Sequence, residues 1–443
     1  MSLRVKLSEV DEESLSKDLH IEIKDNKYNK FQKARYVYPY KIVEEEGEEY
    51  IYVPFGYGMN KFEKDYRRER KEFDKSVCKF NAKLRPHQEE IKTEALKFLN
   101  KTGCVMISLY TGGGKTITAI KIASMIKLPT VVVTKGIAII EQWKESISRF
   151  TDGSCQILKP KTVIKEDQNF YICNAINVEK IAKSGLFNKI GLVIVDEAHQ
   201  IMSEVLSKSL TCITPRYLVG LTATPYRYDG YDALLGLYFG LLSKNNEGQE
   251  DMKDSLIYRK LAVPHTVYRI DTGFKPEIEM NSQGKVDWGK VLDSQCSDID
   301  RNELIVKIIK YFDKRVFLIL TKRIYQAEYL LRRLKEEEED VTSLFGSQKT
   351  YRGEARILIG TTQKVGTGFD HPRLDTLLLA TDTLNYYIQN LGRVCRSPDS
   401  RPIFFDLVDD YSLLKRHFST RKSVYIEHGG RFRNFDEDYP EFD

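Results

Sequence analysis

Three consecutive glycines between an apolar run and a helical pattern restrict a chain severely, and here they read Leu109-Tyr-Thr-Gly-Gly-Gly-Lys115-Thr116. The apolar run is Val105–Leu109 and the helical pattern is Thr118–Ile126. Glycines let the backbone curl until successive N–H groups point inward, and the helix that follows adds the positive end of its dipole. Thr111, Gly112, Gly113 and Gly114 would cradle phosphate oxygens, Lys115 would reach the β- and γ-phosphates, and the Thr116 hydroxyl would ligate Mg²⁺. The strict phosphate-loop pattern has a glycine where Leu109 stands. The competing reading is a plain glycine turn between a buried strand and a helix.

The second stretch of this kind is Leu192-Val-Ile-Val-Asp196-Glu197-Ala-His199. Four apolar residues predict a buried strand, and two carboxylates leave its end. Asp196 is placed to hold the Mg²⁺ shell, and Glu197 to polarise an attacking water as general base. A solvated acidic turn is the alternative.

Around these motifs, Thr130–Thr134, Phe170–Cys173 and Tyr217–Leu221 are further strand candidates alternating with helical stretches. That pattern predicts a parallel sheet covered on both faces, with ligands beyond the carboxyl ends of its strands. Residues 240–252 carry turn formers and charges and read as an insertion or linker. A second alternating block follows, with strand candidates Thr266–Ile270, Arg315–Leu320, Ala355–Ile359, Thr376–Ala380 and Pro402–Asp406. At 443 residues the chain exceeds one ordinary core. The expected fold is α/β, with parallel-sheet domains at 81–260 and 261–443 behind a small β-rich module at 1–80.

In that module, Leu19–Lys24, Ala34–Tyr38 and Glu49–Val53 read as strands. Its tyrosines beside Lys and Arg suit base stacking and phosphate neutralisation, but tyrosine also simply favours strands. Lys61–Lys71 is charged and reads as a solvated connecting helix, with a DNA-contacting helix as the alternative. The run Leu334–Asp340 reads as a solvated helix end. The acidic, aromatic segment Asn434–Asp443 reads as a frayed tail.

Composition excludes little more. Hydrophobic residues make up 41%, and the net charge of +5 permits nucleic-acid binding without requiring it. The opening Met-Ser-Leu-Arg-Val-Lys lacks a signal-peptide core, and no apolar run reaches the length of a membrane span. The seven cysteines form no Cys-x-x-Cys pair, so neither a zinc site nor a disulfide framework is suggested. Cys104, Cys173 and Cys212 read as small buried hydrophobes. A reducing compartment, the cytoplasm of a cell or of a viral host, is the expectation.

Together these motifs resemble the superfamily 2 helicases from about Leu84 to Asp410. The resemblance implies two tandem RecA-like domains that bind ATP and Mg²⁺ and move on nucleic acid. It extends to Leu84-Arg85-Pro-His-Gln88, where Arg85 and Gln88 would contact adenine, and to Thr134-Lys135 through Gln142-Trp143, similar to motif Ia on the nucleic-acid face. Leu221-Thr222-Ala-Thr224-Pro225 resembles motif III, which with His199 would couple hydrolysis to domain movement. Thr321-Lys322-Arg323 sits where motif IV begins. Gly360 to Asp370 resembles motif V, with Thr362 toward nucleic acid and Gly368 and Asp370 toward the nucleotide. Gln389-Asn-Leu-Gly392-Arg393-Val-Cys-Arg396 resembles motif VI. There Gln389 joins Arg393 and Arg396, whose guanidinium groups would stabilise charge on the transferring phosphoryl group. In the family these arrive from the second domain, so closure would complete the site and hydrolysis would loosen it. Thr134, Lys135, Thr321, Lys322, Arg323 and Thr362 are carried over as phosphate-backbone contacts.

Gln142-Trp143, Tyr226–Gly240, Val286-Asp-Trp288 and Asp300–Ile305 narrow the likeness to XPB-like, UvsW-like and poxvirus transcript-release helicases. A compact, tailed-phage type of branch-migration helicase is the nearest likeness. Tyr226-Arg-Tyr-Asp-Gly stands where the XPB type carries Arg-Glu-Asp. The expected activity is that of a monomeric, ATP-dependent DNA helicase that remodels forks or Holliday junctions in replication, recombination or repair. A duplex translocase that releases transcripts, an RNA helicase, an ATP-gated clamp and a restriction-complex subunit are the alternatives.

Overall fold

The computed structural model describes residues 1–23, 35–110, 112–202, 210–223, 231–240, 242–244, 250–252, 255–259, 264–282, 284–348, 350–365, 371, 373–383, 392, 394 and 401–442. The chain divides into two compact units, Met1–Arg259 and Lys260–Asp443.

The first unit is built on a seven-stranded sheet. Its spatial order is Leu256–Arg259, Cys104–Leu109, Tyr217–Thr222, Leu192–Val195, Thr130–Thr134, Phe170–Asn174, Cys155–Leu158. Every pairing in it is parallel. The five inner strands are largely apolar and buried because both faces are covered, while the edge strands Cys155–Leu158 and Leu256–Arg259 are only partly buried. Val131, Val133, Val193 and Val195 enter one core, and Val132, Leu192 and Ile194 enter the other. The strand Cys104–Leu109 lies between Tyr217–Thr222 and the edge strand Leu256–Arg259, and its carboxyl end feeds the glycine loop.

The amino-terminal residues form an antiparallel sheet, Ser2–Lys6, Glu48–Pro54, Lys41–Glu45, and a separate pair, Ile21–Ile23 with Arg35–Val37. Glu46 and Gly47 take φ of 53° and 82° between two of these strands, as a tight hairpin turn requires. Leu3, Val5, Ile51, Val53 and Phe55 join the same core as Val131 and Val193. The module is therefore packed onto one face of the first sheet. The helix Phe55–Lys61 lies so close to the Asp232–Phe239 helix that a Cβ on Gly56 would fall 2.3 Å from the Gly240 nitrogen.

The second unit repeats the plan. Its seven strands run Val341–Leu344, Ile357–Thr361, Phe317–Thr321, Thr376–Leu379, Ile403–Val408, His265–Asp271, Gly430–Arg433, all parallel.

Several expectations need correction. Lys61–Lys71 is not a solvated helix; the helix ends at Lys61, and only Arg70–Glu72 forms a 3-10 turn. The stretch is a strap whose arginines find carbonyls of the unit beneath. Arg67 Nη1 donates to Leu99 O at 3.4 Å and Arg68 Nη1 to Asn188 O at 2.8 Å, while Arg70 Nη2 donates to Ile126 O. Leu99 and Ile126 stand in the last turns of their helices, where the carbonyl end of the helix dipole attracts cations.

The carboxyl-terminal segment is not frayed. Phe435 is buried, Tyr439 and Phe442 pack against the second unit's core, and Tyr268 donates to Asp438 Oδ2 at 2.8 Å. Within 240–252, Leu242–Lys244 and Glu250–Met252 pair antiparallel. Cys104 and Cys173 are buried as expected, whereas Cys212 is half-buried. The charge run Leu334–Asp340 is a solvated helix end as expected: the helix Ile324–Glu336 stops within it and Lys335, Glu336, Glu338 and Asp340 are exposed, while Glu337 pairs with Lys310 and Glu339 with Arg356.

Candidate nucleotide-binding and hydrolytic site

The glycine loop leaves the carboxyl end of Cys104–Leu109 and enters the helix Lys115–Ile126. Gly112 and Gly114 both have φ of 85°, in the left-handed region that side chains avoid. Gly114 caps the helix, and the Thr118 N–H donates to its carbonyl at 3.1 Å. Lys115 Nζ donates to the Leu109 carbonyl at 3.0 Å, which holds the ammonium over the loop. Thr116 follows in the first helical turn. Thr111 lies outside the described residues.

Gln88 packs directly onto this loop. It is buried, its Oε1 accepts the Arg85 N–H at 2.9 Å, and a Cβ on Gly114 would lie 2.0 Å from its Nε2. The segment Arg85–Gln88 opens the helix Pro86–Thr102, with Pro86 in the first helical turn, where its missing N–H costs no bond. Arg85 itself is exposed.

Asp196 leaves the strand Leu192–Val195 in register with Thr130–Thr134; its N–H donates to the Val133 carbonyl at 2.9 Å. Its carboxylate is buried and fully engaged. Oδ2 accepts the Trp143 indole N–H at 2.7 Å, and Oδ1 accepts the Glu197 N–H at 3.0 Å. Burial, seconded by the neighbouring Glu197 charge, pushes the Asp196 carboxyl up to about 6; Trp143 and Lys115 pull the other way. A buried carboxyl that resists ionising alone, near a lysine, suits a divalent cation that would supply the missing positive charge.

Glu197 has φ of 50°. A non-glycine residue in that region stores strain, and such strain gathers at functional sites. His199 joins two motifs: its Nδ1 lies 2.8 Å from Thr222 Oγ1 and 3.4 Å from Glu197 Oε2. The carboxylate motif is thus physically tied to the end of the Tyr217–Thr222 strand. Thr224 lies outside the described residues.

The residues carried over as nucleic-acid contacts take varied positions. Thr134 and Thr321 end strands in their respective sheets, and both hydroxyls are buried without a hydrogen-bond partner among the described residues. Lys135 is exposed. Desolvation lowers the pKa of Lys322. Arg323 Nε donates to Asp293 Oδ1 at 2.7 Å. Thr362 begins the short helix Thr362–Val365. Gly368, Asp370, Gln389, Arg393 and Arg396 lie outside the described residues, though Gly392 and Val394 are helical.

Sequence reasoning missed the role of Trp143. The resemblance to motif Ia puts it with Gln142 on a nucleic-acid face; in the structure it is buried and bonded to Asp196. Its place in the amphipathic helix Ile137–Phe150 marks it as core, but nothing local links it to a carboxylate.

Comparison with known proteins places the stretch that holds the loop and the carboxylates in a known family. Residues 81–227 match the family described as "Type III restriction enzyme, res subunit". The chain is 39% identical over 393 residues to "Putative helicase 161L" of Invertebrate iridescent virus 6, covering 83% of this chain and 86% of that protein. The chain belongs to the superfamily 2 helicases. This helicase is also 26% identical over 399 residues to the DNA 3'-5' translocase XPB2 of Sulfurisphaera tokodaii, covering 77% of this chain and 85% of that one. It is 26% identical over 364 residues to the transcript termination protein A18 of Yaba-like disease virus, with 72% and 71% covered. Its fold is shared with S. cerevisiae Dbp5, solved bound to RNA and ADP BeF3, at a TM-score of 0.54 and 16% identity, over 80% of this chain and 91% of that one. The two sheets of the helicase are therefore tandem RecA-like folds. Among the described residues, no helix is long and apolar enough to cross a membrane.

Proposed function

We propose that this helicase is an ATP- and Mg²⁺-dependent DNA motor that remodels branched DNA, at forks or junctions. The observation that carries the reading is a run of contacts within the first unit: the Trp143 indole and the Glu197 N–H donate to Asp196, and His199 Nδ1 lies 2.8 Å from Thr222 Oγ1 and 3.4 Å from Glu197 Oε2. It gives a hydrolytic carboxylate a mechanical connection to the neighbouring strand end, as a motor needs and a passive nucleotide site does not. Gly112, Gly113, Gly114 and Lys115 would hold the phosphates, with Gln88 and Arg85 toward the base. Thr116 and Asp196 would hold Mg²⁺, which when bound neutralises developing phosphate charge. Glu197 would orient and deprotonate the attacking water, and a change at Glu197 would reach Thr222 through His199. Arg393, Arg396 and Gln389 are assigned to the transferring phosphoryl group on the strength of the resemblance.

DNA as substrate is supported by the likeness to XPB2, named as a DNA translocase. The likeness to A18, named for transcript termination, favours a second reading, a motor that displaces transcripts without separating duplex strands. The amino-terminal module, residues 1–80, would grip duplex. The site of action would be the host cytoplasm of a viral protein, and the motor would work as a monomer.

ATPase stimulation by single-stranded DNA, blunt duplex, forked duplex and RNA, measured side by side, tests this. The branched-DNA reading expects forks to stimulate most. Stimulation by RNA alone would overturn the DNA assignment, and equal stimulation by blunt duplex without unwinding would move the assignment to transcript release.

A further inference from the structure

Val286-Asp-Trp288 stands out in the sequence and plays no part in the nucleotide site. Trp288 opens the helix Trp288–Ser297, with Asp287 Oδ1 accepting the Gly289 and Lys290 N–H groups at 2.9 and 3.3 Å. The residue keeps 37% of its surface exposed. The His417 imidazole lies against the indole at 4.9 Å, tilted by 30°.

His417 is itself anchored. Its Nδ1 is 2.6 Å from Asp382 Oδ2, and Asp382 Oδ1 accepts from Arg421 Nη1 at 2.6 Å. Arg421 then makes two 2.8 Å bonds to Asp406, and both Arg421 and Asp406 are buried. Burial opposes ionisation of Asp382, but its bond to His417 and the Arg421 charge hold its carboxyl below the usual range. An exposed tryptophan is thus seated on a rigid, ion-paired base.

A cation borders it. Arg323 Nη2 donates to the Gly289 carbonyl at 3.4 Å, and its Nε donates to Asp293 on the same helix. Lys322, which precedes Arg323, is half-buried, and burial lowers its pKa. The exposed Tyr325 donates to the same Asp293 at 2.9 Å.

A rigid exposed indole beside a cation matches single-stranded nucleic acid: a base face for the ring and phosphates for the cation. Base pairs inside a duplex are already stacked on both faces and leave none for the ring. We propose that Trp288 is a base-stacking platform for an unpaired strand, with the Arg323 guanidinium beside it turned to the strand's phosphates. This rests on the reading of the protein as a nucleic-acid motor.

The test uses the full chain, an oligo(dT), and an abasic oligomer of equal length. Binding is read by anisotropy of the labelled oligomers and by tryptophan emission, since the second tryptophan, Trp143, is buried. Oligo(dT) should quench the wild-type emission and the abasic oligomer should not. Trp288→Ala should weaken oligo(dT) binding about tenfold or more, as the loss of one stacked base requires, and leave abasic binding unchanged. Trp288→Phe should retain most of the affinity while abolishing the quench. Equal oligo(dT) affinity in Trp288→Ala, equal weakening on the abasic oligomer, or equal quenching by blunt duplex would overturn the platform while sparing the motor. Failure of the wild type to bind any oligomer would overturn both.

Discussion

Asp196 spends one carboxylate oxygen on the Trp143 indole and the other on the Glu197 amide. Trp143→Phe keeps the ring and deletes the donor, leaving a buried acceptor unpaired. That should cost about 1–3 kcal/mol in thermal or denaturant unfolding and reduce ATP turnover, with Trp143→Ala worse on both counts. Glu197→Gln removes the base but keeps the shape, so ATP binding should persist while hydrolysis falls at least a hundredfold; normal turnover would reassign the base. Lys115→Ala withdraws a fixed cation from the phosphates and should abolish hydrolysis in the same assay. The carboxylates were legible because an apolar run ending in Asp-Glu has few other uses. The Trp143 contact was not, because the two residues are far apart in sequence and meet only through the parallel register of Val133 beside Val195.

The phosphate loop shows how an element is specified from two directions. Its glycines answer to φ of 85° at Gly112 and Gly114, which sequence alone anticipates. Gly114 is also confined by Gln88, whose Nε2 would sit 2.0 Å from an added Cβ, and that requirement is tertiary. Gly114→Ala should therefore weaken binding of a fluorescent ATP analogue tenfold or more, while far-UV circular dichroism stays unchanged. A variant that binds normally would show that the loop tolerates a side chain there. The strap Lys61–Lys71 differs from its sequence expectation for a related reason. Its charges suit a solvated helix until one sees the helix-end carbonyls of Leu99 and Ile126 under Arg67 and Arg70, and no local pattern announces an acceptor supplied by another helix.

At the scale of the molecule, two units repeat one architecture, each a parallel sheet whose central strands are buried on both faces. The carboxyl-terminal aromatics belong to the second unit's core: Phe435 lies 4.9 Å from Phe442 between ring centroids, and Tyr439 lies 4.8 Å from Phe312. Phe435→Ala should destabilise that unit by about 3 kcal/mol. In denaturant unfolding the second unit's transition should move to lower concentration while ATP-analogue binding by the first persists. Unchanged unfolding would return the segment to the status of a tail. The alternation of short apolar strands with helices, the glycine loop and the Asp-Glu strand end were all readable from residue order, because each is a local pattern imposed by backbone geometry or by burial on two faces. The strand order was not, nor were the fusion of the amino-terminal sheet with the first core, the indole on Asp196, the histidine bridge to Thr222 and the ion-paired seat of Trp288. Those depend on which distant segments pack together, and packing is settled by the summed burial of the whole chain.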